Sequence, residues 1–205
     1  VFKRRPLVSL LHAFVFYGFV YYLLVNLVDF LEGFFGLHAR GGIWNAYNIV
    51  ADLLTFLILV GILGLMLRRY LLAPRDFTWN PNVPLHEKAR AGIARDSAIV
   101  GAFIAFHVGS RLLSKAFQLA GEGPDPFQPV ASALAGALSG LPPALLTFGE
   151  HFFWWGALGS ILLFLPYFPR SKHIHLFMAP INLAFRKEVP GALTPLDFEK
   201  EEEKF

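Results

Sequence analysis

Four stretches of this sequence are long and apolar enough to cross a bilayer, which restricts the chain to a helical bundle. They run roughly Leu7 to Leu31, Tyr47 to Leu67, Ser97 to Leu119 and Leu145 to Phe168. Each is near or above the roughly 20 residues of a helical crossing. In hydrocarbon every backbone N–H and C=O must pair within the chain, so runs of this length become helices. Only 16% of the 205 residues are charged, against about 25% in ordinary soluble domains. The expected fold is all-α, a transmembrane helical bundle of about four spans. The segment GEGPDPFQPVASALAGALSGLPPA, before the last stretch, is rich in small residues and bounded by Pro. It reads as a loop with a short interfacial helix rather than as a fifth crossing.

Basic residues cluster in three places. Lys3, Arg4 and Arg5 precede the first span; Arg68, Arg69, Arg75, Lys88, Arg90 and Arg95 follow the second; Arg170, Lys172, Arg186 and Lys187 follow the fourth. Four crossings put all three clusters on one side, which the positive-inside rule makes cytoplasmic. The chain is therefore expected to be a multi-pass protein of the cytoplasmic membrane with both termini cytoplasmic. The opposite connectors hold Asp29, Glu32, Glu122 and Asp125. The basic start leads into a span too long and aromatic for a signal peptide. A net charge of +3, scattered along the chain, argues against nucleic acid as a partner. The sequence contains no cysteine, which excludes disulfides, thiolate ligation and an iron–sulfur cluster held by these residues. Residues 1–187 read as the membrane domain and the acidic stretch 188–205 as a linker toward something soluble. The chain is thus expected to be part of a longer polypeptide.

His12, His107 and His151 lie within the apolar stretches and His175 just past the last one. Imidazoles are costly in hydrocarbon and usually face a bundle interior with a partner or a task. Four on separate segments, two near one face and two deeper, match bis-histidine ligation of haem b. By depth, His12 pairs with His175 near the cytoplasmic face, and His107 with His151 toward the outer face. Gly18, Gly109, Gly156 and Gly159 lie near these residues and would let backbone approach a macrocycle. The bland reading of His107 alone is a hydrogen-bonded contact between helices. His173 reads as interfacial, His38 and His86 as solvated, and Trp154-Trp155 as aromatic packing.

Asp29, Glu32, Asp52, Arg111, Glu150 and His151 gather near the outer end. Quinone chemistry needs proton acceptors and a hydrogen-bond donor there, and Arg111, Glu150 and Asp29 are the quinone-site candidates. Ordinary interfacial charge is the competing reading. Arg111, one turn after His107, is expected to pair with Glu150 or a haem propionate.

The string LLHAFVFYGF resembles the haem-bearing helix of the nitrate reductase gamma-subunit-like family, and PRSKHIHLFMAPINLAFR resembles that family's closing signature. The closer resemblance is to the membrane domains of heterodisulfide-reductase-like iron–sulfur proteins, in the branch acting as electron-transfer-flavoprotein:quinone oxidoreductases. The resemblance implies haem at His12 and His175, a fused or partner module binding [4Fe–4S] clusters, electron-transfer flavoprotein as donor and quinone as acceptor. The gamma subunit's second ligand pair falls on Tyr22 and Ala157 here, so His107 and His151 either substitute for it or only one haem is held. The expected function is a cytochrome b-like electron-transfer domain within a quinone oxidoreductase, with menaquinone or ubiquinone in the bilayer. A quinol-oxidising subunit of a nitrate- or heterodisulfide-type reductase is the alternative within that class. A haem-free anchor or proton-relay transporter is the alternative outside it.

Overall fold

The computed structural model describes residues 5–36, 41–72, 84 and 86–186. Its helices are α1 (Pro6–Phe35), α2 (Gly42–Tyr70), α3 (Glu87–Glu122), α4 (Pro129–Leu138), α5 (Pro143–Phe164) and α6 (His175–Ala184), with 3₁₀ turns at Phe168–Arg170 and Lys172–Ile174. No strand occurs among the described residues. The chain divides into two compact units, Val1–Lys172 and His173–Phe205. Helices α1 to α5 build the first, and α6 belongs to the second.

Helices α1, α2 and α3 are long and apolar enough to cross a membrane. Helix α5 has 22 residues, about 33 Å at the usual rise. It is not among those three, and Glu150, His151, Trp154 and Trp155 interrupt its apolar run. Helix α4 has 10 residues and occupies the segment expected to carry a short interfacial helix.

Local chemistry sets the boundaries. Pro6, Pro129 and Pro143 open α1, α4 and α5, where a missing N–H costs nothing. Helix α1 ends at Gly36, whose φ of 63° is left-handed, as suits a helix-terminating glycine. Helix α3 begins ten residues before the span expected from Ser97. The run EKARAGIARD is polar yet rich in strong helix formers, and the His86 Nδ1 accepts from the Lys88 N–H at 3.2 Å.

Helix α1 rests on α2, and α3 is the central element, packed on α5, α4 and α2. Gly18 admits Ile58 of α2 rather than a macrocycle. A Cβ on Gly61 would stand 2.7 Å from the Leu11 carbonyl oxygen. Tyr22, Val25, Ala51, Ile58, Val100, Ile104, Val108 and Phe164 form the main core. Large apolar side chains also face outward, Leu23 at 53%, Leu63 at 55% and Leu163 at 82% exposure, as on a bundle whose solvent is lipid.

Asp52 of α2, grouped by sequence with the outer-end charges, has a structural task. Its carboxylate accepts from the N–H groups of Val130 at 2.6 Å and Ala131 at 3.1 Å. A carboxylate satisfies the unpaired amides and the positive end of a helix dipole there, so α4 is capped from a neighbouring helix. One end of the bundle is marked by Gly36, where α1 stops, and the opposite end by Arg69 near the end of α2.

Gly61→Ala is expected to weaken the bundle by about 1–3 kcal/mol, the usual cost of overpacking, because its methyl meets backbone. Gly109→Ala, where a Cβ meets nothing within 4 Å, should leave stability unchanged. Thermal unfolding of both variants in detergent checks this contrast.

Candidate functional site

Along α3, His107, Arg111, Ser114 and Lys115 recur at the three- and four-residue spacing that keeps side chains on one face. Asn26, Asp29 and Glu32 do the same on α1. With Trp154, Ala157, Leu158 and Ile161 of α5 they line a cleft of about 40 Å³ between α1, α3 and α5.

The charges in it are paired. Arg111 Nε donates to Asp29 Oδ2 at 2.6 Å and Nη2 donates to Oδ1 at 3.1 Å, a two-pronged contact that suits the planar guanidinium. Arg111 is 8% exposed, and its guanidinium lies 5.7 Å from the Tyr22 ring centre. Tyr22 Oη in turn shares a 2.5 Å hydrogen bond with Thr55 Oγ1. Nearer the Gly36 end, Lys115 Nζ lies 3.7 Å from Glu32 Oε2. The expected partner Glu150 is replaced by Asp29. Both carboxylates lie at a suitable depth, but Glu150 meets α3 through its backbone, where its carbonyl accepts from Ser114 Oγ at 3.0 Å.

His107 is buried at the inner end of this stripe. Its Nδ1 is 3.0 Å from the Ala157 carbonyl oxygen, an acceptor only, so the network assigns the proton to Nδ1 and a lone pair to Nε2. Ser160 Oγ lies 3.3 Å from the same Nδ1 and donates to the Ala157 carbonyl at 2.7 Å. Phe103 stacks on the ring at 5.8 Å and Tyr22 meets it edge-on at 6.0 Å. The Nε2 is buried and has no hydrogen-bond partner among the described residues.

The structure does not bring His151 to His107. His151 is exposed and its Nδ1 turns back to the Thr147 carbonyl at 2.8 Å. It lies six residues, about 9 Å of rise, from Ala157 toward the Gly36 end. His12 is also exposed. Helical spacing sets it on the face of Phe19, Asn26 and Phe30, the side of α1 that lines the cleft, and about 15 Å from the Tyr22 level. His175 opens α6 and is exposed, whereas His173, expected at an interface, is buried. Their rings stand 6.5 Å apart, edge to face at 85°. His12 and His175 belong to different units. His86 is exposed and caps α3, while His38 lies outside the described residues.

Haem b is the group that the histidines suggest. At the His107 level it does not fit: a 40 Å³ cleft holds about three waters at roughly 10–15 Å³ each, and aromatic rings cover the imidazole. Tyr22 and Ala157, where the resembled gamma subunit has its second pair, both touch His107 instead. No cluster of three or more His, Cys, Asp or Glu residues suited to a metal ion occurs among the described residues.

Sequence reasoning missed a further junction at the Arg69 end. Asp96 accepts from Tyr167 Oη at 2.6 Å and from the Lys172 N–H at 2.9 Å, while Lys172 Nζ donates to Ser97 Oγ at 2.8 Å. The bond to Asp96 holds the Tyr167 phenol above its ordinary pKa, and burial pushes the Lys172 ammonium below its own.

Two proteins are similar over nearly the whole chain. One is the probable iron-sulfur-binding oxidoreductase FadF of Bacillus subtilis, 30% identical over 98% of this chain and 28% of its own length. The other is the EtfAB:quinone oxidoreductase of Syntrophomonas wolfei, 28% identical over 92% of this chain and 26% of its own length. The chain thus spans about a quarter of the length of these relatives. No family model matches the chain, and no solved structure matches it.

Arg111→Ala, which strands Asp29 in the bundle, is expected to cost about 3–5 kcal/mol of stability. The double replacement Asp29→Leu with Arg111→Met should recover most of that loss. A thermal-unfolding double-mutant cycle in detergent reads both.

Proposed function

We propose that this chain is the membrane domain of an oxidoreductase that moves electrons between an iron–sulfur module and quinone. The observation that carries this reading is the similarity over 98% of the chain to a protein named as an iron-sulfur-binding oxidoreductase. A second relative is named as an EtfAB:quinone oxidoreductase. Helices of membrane-crossing length and a polar cleft among them suit that role. Electron-transfer flavoprotein is the proposed donor and menaquinone the proposed acceptor.

In this reading α5 is the fourth crossing and the Arg69 end is cytoplasmic, because Arg68, Arg69, Arg95 and Arg170 gather there. The iron–sulfur module meets the chain on that side. One haem b is held by His12 and His175, the ligands that the resemblance implies, each exposed on its own unit. Bound haem supplies one-electron transfer, and the protein contributes ligation and position. Asp29, Arg111 and Lys115 supply charge and hydrogen bonds near the opposite face, where quinone is reduced. Glu150 stands beside that region on α5, without lining the cleft.

The test is a reduced-minus-oxidised visible spectrum with pyridine-haemochrome quantitation on the full-length protein. One b-type haem per chain is expected, lost or weakened in His12→Ala and His175→Ala and retained in His107→Phe. Absence of haem from correctly inserted wild-type protein would overturn the haem assignment and leave a haem-free anchor.

A further inference from the structure

We propose that the cleft between α1, α3 and α5 is a water-filled entry, open beside Lys115 and Glu32, through which protons reach His107 inside the bundle. Its hydration stands on geometry alone, and its use in quinone chemistry rests on the function proposed above.

Three observations converge. The walls carry Asp29, Glu32, Arg111 and Lys115, which even when paired keep acceptor and donor positions that water can use. The volume, about 40 Å³, suits about three waters at roughly 10–15 Å³ each and is too narrow for a quinone ring. At the inner end stands an imidazole only 6% exposed, whose Nε2 has no hydrogen-bond partner among the described residues. Its Nδ1 is already committed to the Ala157 carbonyl, so Nε2 is left to accept from something small. Water meets that demand, and Ser114 and Asn26 along the walls offer it further partners.

The path runs from the Lys115–Glu32 pair, past the Arg111–Asp29 pair, to His107 at the level of Tyr22. Reduction of a quinone takes up two protons with two electrons. A wet cleft ending inside the bundle would supply those protons without opening the apolar surface to water.

The 205 residues contain no cysteine, so introduced thiols report on their own surroundings. In full-length protein reconstituted into vesicles, Asn26→Cys and Leu158→Cys place a thiol on opposite walls of the cleft. Leu23→Cys places one on the lipid-facing side. Thiols react as thiolates, which form in water and not in hydrocarbon, so the cleft positions should react about tenfold or more faster with a charged, membrane-impermeant thiosulfonate. A small uncharged maleimide confirms that each thiol is intact, and size exclusion confirms folding, with either wall sufficing if the other variant misfolds. Cleft thiols that react no faster than the one at position 23 overturn the proposal. Fast labelling in a protein that reduces no quinone defeats the functional reading and leaves the water path. Slow labelling in an active protein does the reverse.

Discussion

The Arg111–Asp29 pair decides how the helices of this bundle face one another. Both charges lie on helices of membrane-crossing length, and one of them left alone would be expensive there. Pairing them fixes the rotation of α1: Asp29 turns inward beside Tyr22 and Val25, two of the most buried among the described residues. Asn26 and Phe30, on the neighbouring face, then line the gap toward α5. A pair of this kind adds little net stability over an apolar replacement, and its stronger effect is on which arrangement is stable.

The cleft follows from that rotation and from the size of the residues around it. Helix α1 leans on α2 and α5 leans on α3, so the two outer helices do not close on each other along their length. They meet where the Trp154 indole lies against Gly33 and close to Phe34. The opening between them is narrow at His107 because Tyr22 and Phe103 already cover that ring. At the His107 level the packing is between protein rings.

Fold class was legible because hydrophobic run length is a one-dimensional property. The apolar stretches gave the four long helices of the bundle, and Pro and small residues marked α4. Depth was legible as well: Asp29, Arg111 and Glu150 were correctly gathered near one end. Direction around the helix axis was harder to read. Depth alone offered Arg111 two carboxylates, and only the packed rotation of α1 selects Asp29. The same limit applies to His151, deep enough for the site yet turned outward, and to Asp52, whose capping of α4 depends on a contact 78 residues away in sequence. The ten-residue extension of α3 had a signal, since Ala, Glu, Lys and Arg dominate that stretch, but charge made it look like a connector.

The polarity of α5 follows from position as well as from function. Its first part, up to Trp155, carries Glu150, His151, Trp154 and Trp155, and Ser114 and Phe117 of α3 meet it there. Its last part, GALGSILLF, is apolar and meets the core at Phe164, which stacks on Phe103 at 3.9 Å. His151, on the first part of the helix, is exposed and turns its Nδ1 back to the Thr147 carbonyl. His107 of α3 is buried against the second part of α5, where an imidazole needs a partner at both nitrogens. Helix α5 supplies one at the Ala157 carbonyl; the other, Nε2, is buried without a hydrogen-bond partner among the described residues, and the water proposed for the cleft would serve it.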